Sequence, residues 1–102
     1  MDTLTRTVDL DTLDRVGRAL ANPTRRQILI ALLDEPGYPA QLAERLDTSR
    51  ANLSNHLTCL RECGLVTATN EGRHVRYTHA DPQLGDALRI LARLQLDGTC
   101  TN

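Results

Sequence analysis

At 102 residues without Phe or Trp, the chain is long enough for one domain, and its core must be aliphatic apart from Tyr38 and Tyr77. So small a core is marginal by itself, which makes pairing with a second copy an expectation. A net charge of −1 gives no global basic signature for nucleic acid, no apolar run approaches a membrane span, and three cysteines argue against a closed disulfide framework. The start, MDTLTRTVDLD, has neither the basic end nor the apolar stretch of a signal peptide, so a cytoplasmic protein with reduced thiols is expected. All basic residues are Arg. That suits phosphate and guanine recognition, but a GC-rich genome produces the same bias and is the weightier explanation.

Residues 1–8 are expected to form a flexible N-terminus ahead of one domain over 9–97. Leu10, Leu13, Gly17 and Leu20 share a helical face, predicting a first helix over 9–21. Asn22-Pro23 is a cap followed by a proline at the first helical position, opening a second helix over 23–34 that buries Ile28, Leu29, Ala31 and Leu32. Glu35-Pro36-Gly37 breaks it. Pro39–Leu46 is a short third helix with Leu42 and Leu46 inward, and Asp47-Thr48 is a turn.

The stretch Ser49–Gly64 organises the rest. Leu53, Leu57 and Leu60 fall on one face, Thr48 or Ser49 can cap the start, and Gly64 sits where a left-handed C-terminal cap belongs. Opposite the leucines lie Arg50, Ala51, Ser54, Asn55 and Thr58, small or polar groups that a DNA groove can approach. A solvated surface helix has the same pattern, but here it follows a short helix and a tight turn, as in a helix-turn-helix. After Gly64 the period changes to two. Val66 and Ala68, then Val75 and Tyr77, alternate with polar residues around Asn70-Glu71-Gly72, which predicts a β-hairpin with Arg73 and Arg76 at or near its tip. Asp81-Pro82 starts a last helix whose stripe of Leu84, Leu88, Leu91 and Gln95, flanked by Ala87 and Leu94, runs to Gly98. It carries more apolar surface than one small domain can cover, so it is expected to pair with its copy. The fold class is mainly α with a β-hairpin wing: a dimeric winged helix-turn-helix of about five helices and two strands, followed by a tail over 98–102.

NPTRRQILIALL, SRANLSNHLTCLRECGLV and EGRHVRY closely resemble the ArsR/SmtB family of winged-helix, metal-responsive repressors, over about residues 10–97. The resemblance implies a homodimer built on the first and last helices, which binds an inverted-repeat operator without metal and releases it with metal. The DNA-reading set expected here is Ser49, Arg50, Asn52, Ser54, Asn55, His56 and Thr58, with Arg73 and Arg76 from the wing. The family's Cys-x-Cys site on the preceding helix is missing from PAQLAERL. Its zinc-type site on the last helix is missing too, since Asp81 and Asp86 have no His beside them and Gln83 stands at the matching second position. Cys59, Cys63 and Cys100 remain. They resemble the three cysteine ligands of the cadmium- and lead-sensing, CmtR-type branch.

The chemistry of the thiols agrees with that resemblance. Residues four apart on a helix face the same way, so Cys59 and Cys63 can turn toward one ion, and Cys100 would complete a three-thiolate site for a soft ion such as Cd(II) or Pb(II). The bland reading is that Cys63, near the leucine face, is a small buried hydrophobe. Trivalent arsenic accepts the same donors, and a redox or persulfide switch uses the same thiols. His56 lies on the cysteine side of the helix, where packing or a phosphate contact is the simpler role. Cys59, Cys63, His74 and His79 have nearly the spacing of a zinc finger, but with the cysteines on the helix and the histidines on the hairpin the context is inverted. No Cys has a base and an orienting partner, and no phosphate loop or carboxylate pair exists, so an enzyme is not expected. Nor is an organic cofactor.

Overall fold

A computed structural model describes residues 9–99. Among them are five helices and one hairpin: α1 (Leu10–Ala21), α2 (Pro23–Ala31), α3 (Pro39–Arg45), α4 (Arg50–Glu62), β1 (Val66–Glu71), β2 (His74–His79) and α5 (Pro82–Ala92). The winged helix-turn-helix is therefore present in the expected order.

The start signals act as their chemistry predicts. Asn22 accepts from the Arg25 amide at 3.0 Å, Ser49 from Asn52 at 3.0 Å and Asp81 from Gln83 at 2.8 Å, each satisfying a donor that the helix itself leaves unpaired. Between α3 and α4 the chain reverses through Asp47, the one described non-glycine residue at positive φ (54°). Its short polar side chain tolerates the left-handed region better than most, and the turn closes with the Thr48 amide on the Ala43 carbonyl at 3.0 Å. Gly64 takes φ +80° at the end of α4, where the Leu65 amide reaches back to the Leu60 carbonyl at 3.0 Å.

The core is one cluster centred on α4. Leu53, Leu57 and Leu60 are completely or almost completely buried, against Ile28 and Leu29 of α2, Leu42 and Ala43 of α3, Leu65 and Val66 at the entry to the hairpin, Tyr77 of β2 and Leu88 of α5. The two strands pair antiparallel from Val66 opposite His79 to Glu71 opposite His74.

Three boundaries differ from expectation. The second helix stops at Ala31 rather than 34. Pro36 disfavours helical geometry at the residue before it, and the segment has another partner: Gly37 exchanges two backbone hydrogen bonds with Tyr77, at 2.9 and 2.8 Å. The hairpin turn is Gly72-Arg73 rather than Asn70-Glu71-Gly72. A two-residue loop wants positive φ at its first position, which Gly72 supplies at +64°. Asn70 and Glu71 thereby stay in β1. The last helix ends at Ala92, well short of Gly98, its final turn tightened by the Arg93 and Leu94 amides bonding three residues back. Within one chain only Leu84 and Leu88 of its stripe reach the core, and helix propagation without packing is marginal.

Gly37 is the tightest of the glycine positions. A Cβ there would stand 2.6 Å from the buried side chains of both Leu32 and Leu42. Overpacking of this kind typically costs about 1–3 kcal/mol. Gly37→Ala should lower the urea midpoint accordingly, with an unchanged slope, at fixed protein concentration. An unaltered midpoint would show that the leucines yield freely.

Candidate nucleic-acid interface and thiol pair

Because the leucine seam of α4 is buried, its opposite face is bare. Arg50, Ala51, Ser54 and Asn55 are exposed and Thr58 and His56 are half-buried. Two members of the expected reading set have structural partners as well. Ser49 caps the helix, and the Asn52 side chain donates to the Thr48 hydroxyl at 2.8 Å. On the wing, Arg73 stands exposed in the turn, while Arg76 is half-buried and ion-paired with Glu71 at 2.8 Å. The other Glu71 oxygen accepts from the Tyr38 hydroxyl at 2.9 Å, a bond that pushes the Tyr38 phenol above its usual range. Together with the Gly37–Tyr77 bridge, this carboxylate fastens the wing to the start of α3.

The two thiols occupy the other end of the same helix. Cys63 is the C-cap, its amide bonded to the Cys59 carbonyl at 3.0 Å, and both residues are half-buried. Burial pushes the Cys63 thiol above its ordinary value, and its neighbour Cys59 adds to the rise. The guanidinium groups of Arg25 and Arg15 oppose the rise. Those arginines come from elsewhere in the chain. Arg25 of α2 donates through Nη1 to the Cys59 sulfur at 3.2 Å and through Nη2 to the Arg18 carbonyl at 3.1 Å. Arg15 of α1 donates to the Cys63 carbonyl at 2.9 Å.

Neither arginine was legible as part of this site. They lie 34 and 48 residues away from their partners in sequence, and the NPTRR segment reads locally as a helix start. Among the described residues no group of three His, Cys, Asp or Glu side chains gathers as a metal site. His56 therefore does not join the thiol pair. His79 bonds the Leu29 carbonyl at 2.9 Å, and His74 stacks edge-on to Tyr38, so the zinc-finger spacing has no counterpart in space. Cys100 lies outside the described residues.

A winged helix-turn-helix is also what comparison finds. The model of the bacterial regulatory protein arsR family matches residues 22–68. The transcriptional regulator CmtR of Mycobacterium tuberculosis is 60% identical over 84 residues, 82% of this chain and 71% of its own length. The chain belongs to the ArsR family. A probable mercury resistance operon repressor of Streptomyces lividans is 37% identical over 87 residues, 85% of this chain and 70% of its own. Among solved structures, that of the cadmium metal-sensor CmtR from M. tuberculosis aligns with a TM-score of 0.69 at 54% identity, covering 87% of this chain and 97% of the other. A homodimeric winged helix-turn-helix DNA-binding domain from Mycobacterium bovis aligns at 0.76 with 31% identity, over 81% and 77%. This ArsR-family chain is thus a transcriptional regulator and not an enzyme. No helix among its described residues is long and apolar enough to cross a membrane.

The raised Cys63 thiol makes stability depend on pH. The folded state holds that proton more tightly than the unfolded chain does. Its contribution is therefore fully present below the unfolded thiol value and is lost as pH rises through the folded one. The metal-free parent should lose more stability than Cys63→Ala between neutral and alkaline pH, in urea titrations at constant protein concentration. Parallel curves for the two proteins would contradict the burial of this thiol.

Proposed function

We propose that this regulator is a metal-responsive repressor. A homodimer binds inverted-repeat operator DNA and is released when a thiophilic ion, Cd(II) or Pb(II), is held by Cys59, Cys63 and Cys100. The observation that carries the reading is that one helix bears both devices, a bare polar face in its first half and a thiol pair in its last turn. The cadmium-sensing relative supports the choice of ion, and the homodimeric neighbour supports the assembly. Leu10, Leu13, Ile90, Leu91, Leu94 and Leu96 all stand more than half exposed, which suits a face covered by a second copy.

The donor set fits a soft ion. Two neighbouring thiols, deprotonated on binding, are ligands that such ions prefer. The third donor must come from beyond the described residues, and Cys100 is the remaining cysteine. The early end of α5 favours this role. From Arg93 to Thr99 the chain has left the helix, and a non-helical chain spans up to about 3.3–3.6 Å per residue. A tail leaving a dimer helix and closing on the recognition helix, in its own protomer or its partner, changes how the two reading heads are spaced. That difference between the two states is what lets a ligand shift their balance.

In this reading Ser54, Asn55, Arg50 and Thr58 meet base edges or phosphates, with Ser49, Asn52 and His56 at the margin. Ser54→Ala and Asn55→Ala should each weaken specific operator binding by about 1–3 kcal/mol. Arg73→Ala should weaken binding to every sequence and lower the salt slope by about one. Arg76→Ala should lower it less, since Glu71 already holds that guanidinium. Fluorescence anisotropy against operator and scrambled DNA at several salt concentrations reads all four. Parent-like binding by both helix variants would displace α4 from the groove.

The sensing half is tested by Cd(II) titration with and without operator. Cys59→Ser and Cys63→Ser should each abolish tight binding and the sulfur-to-metal charge-transfer absorbance. Cys100→Ser should still bind Cd(II), more weakly, and lose much of the metal-induced release of DNA, a several-fold change or more given couplings of about 1–3 kcal/mol. Equal metal-induced weakening in parent and Cys100→Ser would remove the tail from the mechanism.

A further inference from the structure

The thiol pair is not surrounded by neutral groups. Arg25 reaches across from α2 and places Nη1 3.2 Å from the Cys59 sulfur, while Nη2 is fixed on the Arg18 carbonyl at 3.1 Å. Its Nε is buried with no hydrogen-bond partner among the described residues. No carboxylate forms a salt bridge with Arg25 among the described residues, so the charge of this guanidinium is directed at sulfur and at a helix C-terminus. Arg15 holds the adjoining turn from the other side through the Cys63 carbonyl.

We propose that Arg25 is the outer-sphere partner of the metal site: it orients the Cys59 sulfur by an N–H···S hydrogen bond and offsets the negative charge that gathers there when the thiols bind an ion. This rests on the thiol–metal reading above. Thiolates outnumber the charge of a divalent ion when three of them bind it, leaving one net negative charge in a half-buried place. A fixed cation beside the sulfur stabilises that state, more strongly where solvent is partly excluded. The planar fork suits the task, because one nitrogen can be anchored on a carbonyl while another faces sulfur. Arg25 touches no metal in this account. It is a positioning residue, comparable to the outer groups that orient ligands in other metal proteins, whose loss typically costs about 10–100-fold in metal affinity.

Two measurements on the full-length protein test it. The first is Cd(II) titration of parent, Arg25→Gln, Arg25→Lys and Cys59→Ser, followed by the sulfur-to-metal charge-transfer band. Arg25→Gln should bind Cd(II) about tenfold or more weakly. Its band should move to longer wavelength, because a sulfur that loses a hydrogen bond gives up its electrons more readily. Arg25→Lys keeps the charge and should recover part of the affinity. The second measurement needs no metal: the rate of Cys59 alkylation by anionic iodoacetate divided by that for neutral iodoacetamide. Dividing the rates cancels any change in thiol exposure or ionisation, and the ratio should fall several-fold in Arg25→Gln and largely return in Arg25→Lys. A merely structural role for Arg25 would leave both the ratio and the band position unmoved. If Cys59→Ser loses the band while Arg25→Gln matches the parent in affinity and band, the inference is overturned and the metal site stands. If the parent itself shows no charge-transfer band, the metal reading and the outer-sphere role fall together, and the alkylation ratio then shows whether the Arg25–Cys59 contact survives them.

Discussion

The leucine seam of α4 fixes the azimuth of the helix on which everything else depends. Leu53, Leu57 and Leu60 have essentially no surface left in solvent, and burying each is worth about 1.5–3 kcal/mol, an upper range because unfolded chains are already partly collapsed. Rolling the helix by even a quarter turn would expose part of that seam. The polar face is therefore presented outward by the same interaction that holds the core together. Cys59 and Cys63 flank the seam, half in and half out, so their orientation is set by the leucines as well. Polar face and thiol pair are two consequences of one packing constraint.

The arginines explain how a nearly neutral chain can serve as a DNA-binding regulator. Arg15, Arg25, Arg26 and Arg89 donate to the carbonyls of Cys63, Arg18, Leu20 and Leu33, all at or just past the ends of helices. Such carbonyls lack partners within the helix, and they lie at the negative end of its dipole. A guanidinium satisfies both needs at once. These side chains are committed to the fold, as Arg76 is to Glu71 and Arg45 to Asp34 and Glu35. Arg50 at the start of α4 and Arg73 in the wing turn are exposed. In the proposed reading these two side chains, rather than a large net charge, meet phosphate.

The connections also differ in kind at the two ends of the reading unit. The wing is fastened to α3 by backbone hydrogen bonds at Gly37 and Tyr77 and by the Tyr38–Glu71–Arg76 cluster, so helix-turn-helix and wing form one mechanical piece. The thiol turn is fastened to α1, through Arg15 directly and through Arg25 by way of the Arg18 carbonyl. α1 also carries Leu10 and Leu13 into solvent.

The local chemistry of the sequence determined the order of elements, their caps and the identity of the two faces of α4. Asn22, Ser49, Asp81 and Gly64 act on neighbours within a few residues, and the leucine period needs only the geometry of a single helix. The i, i+4 spacing of Cys59 and Cys63 is legible for the same reason. Helix ends were legible only where a cap marked them. The second helix stops early because Gly37 pairs with Tyr77, forty residues on, and the last helix stops at Ala92 because its outer leucines find no surface to cover within one chain. The partners of the thiols were hidden for a like reason. A guanidinium on a long side chain can reach sulfur, carbonyl or phosphate, and nothing in NPTRR says which. Only tertiary packing brings Arg15 of α1 and Arg25 of α2 to the cysteines, and that packing rests on Ala19, Ile28, Leu29 and the leucines of α4 rather than on any residue in the motif.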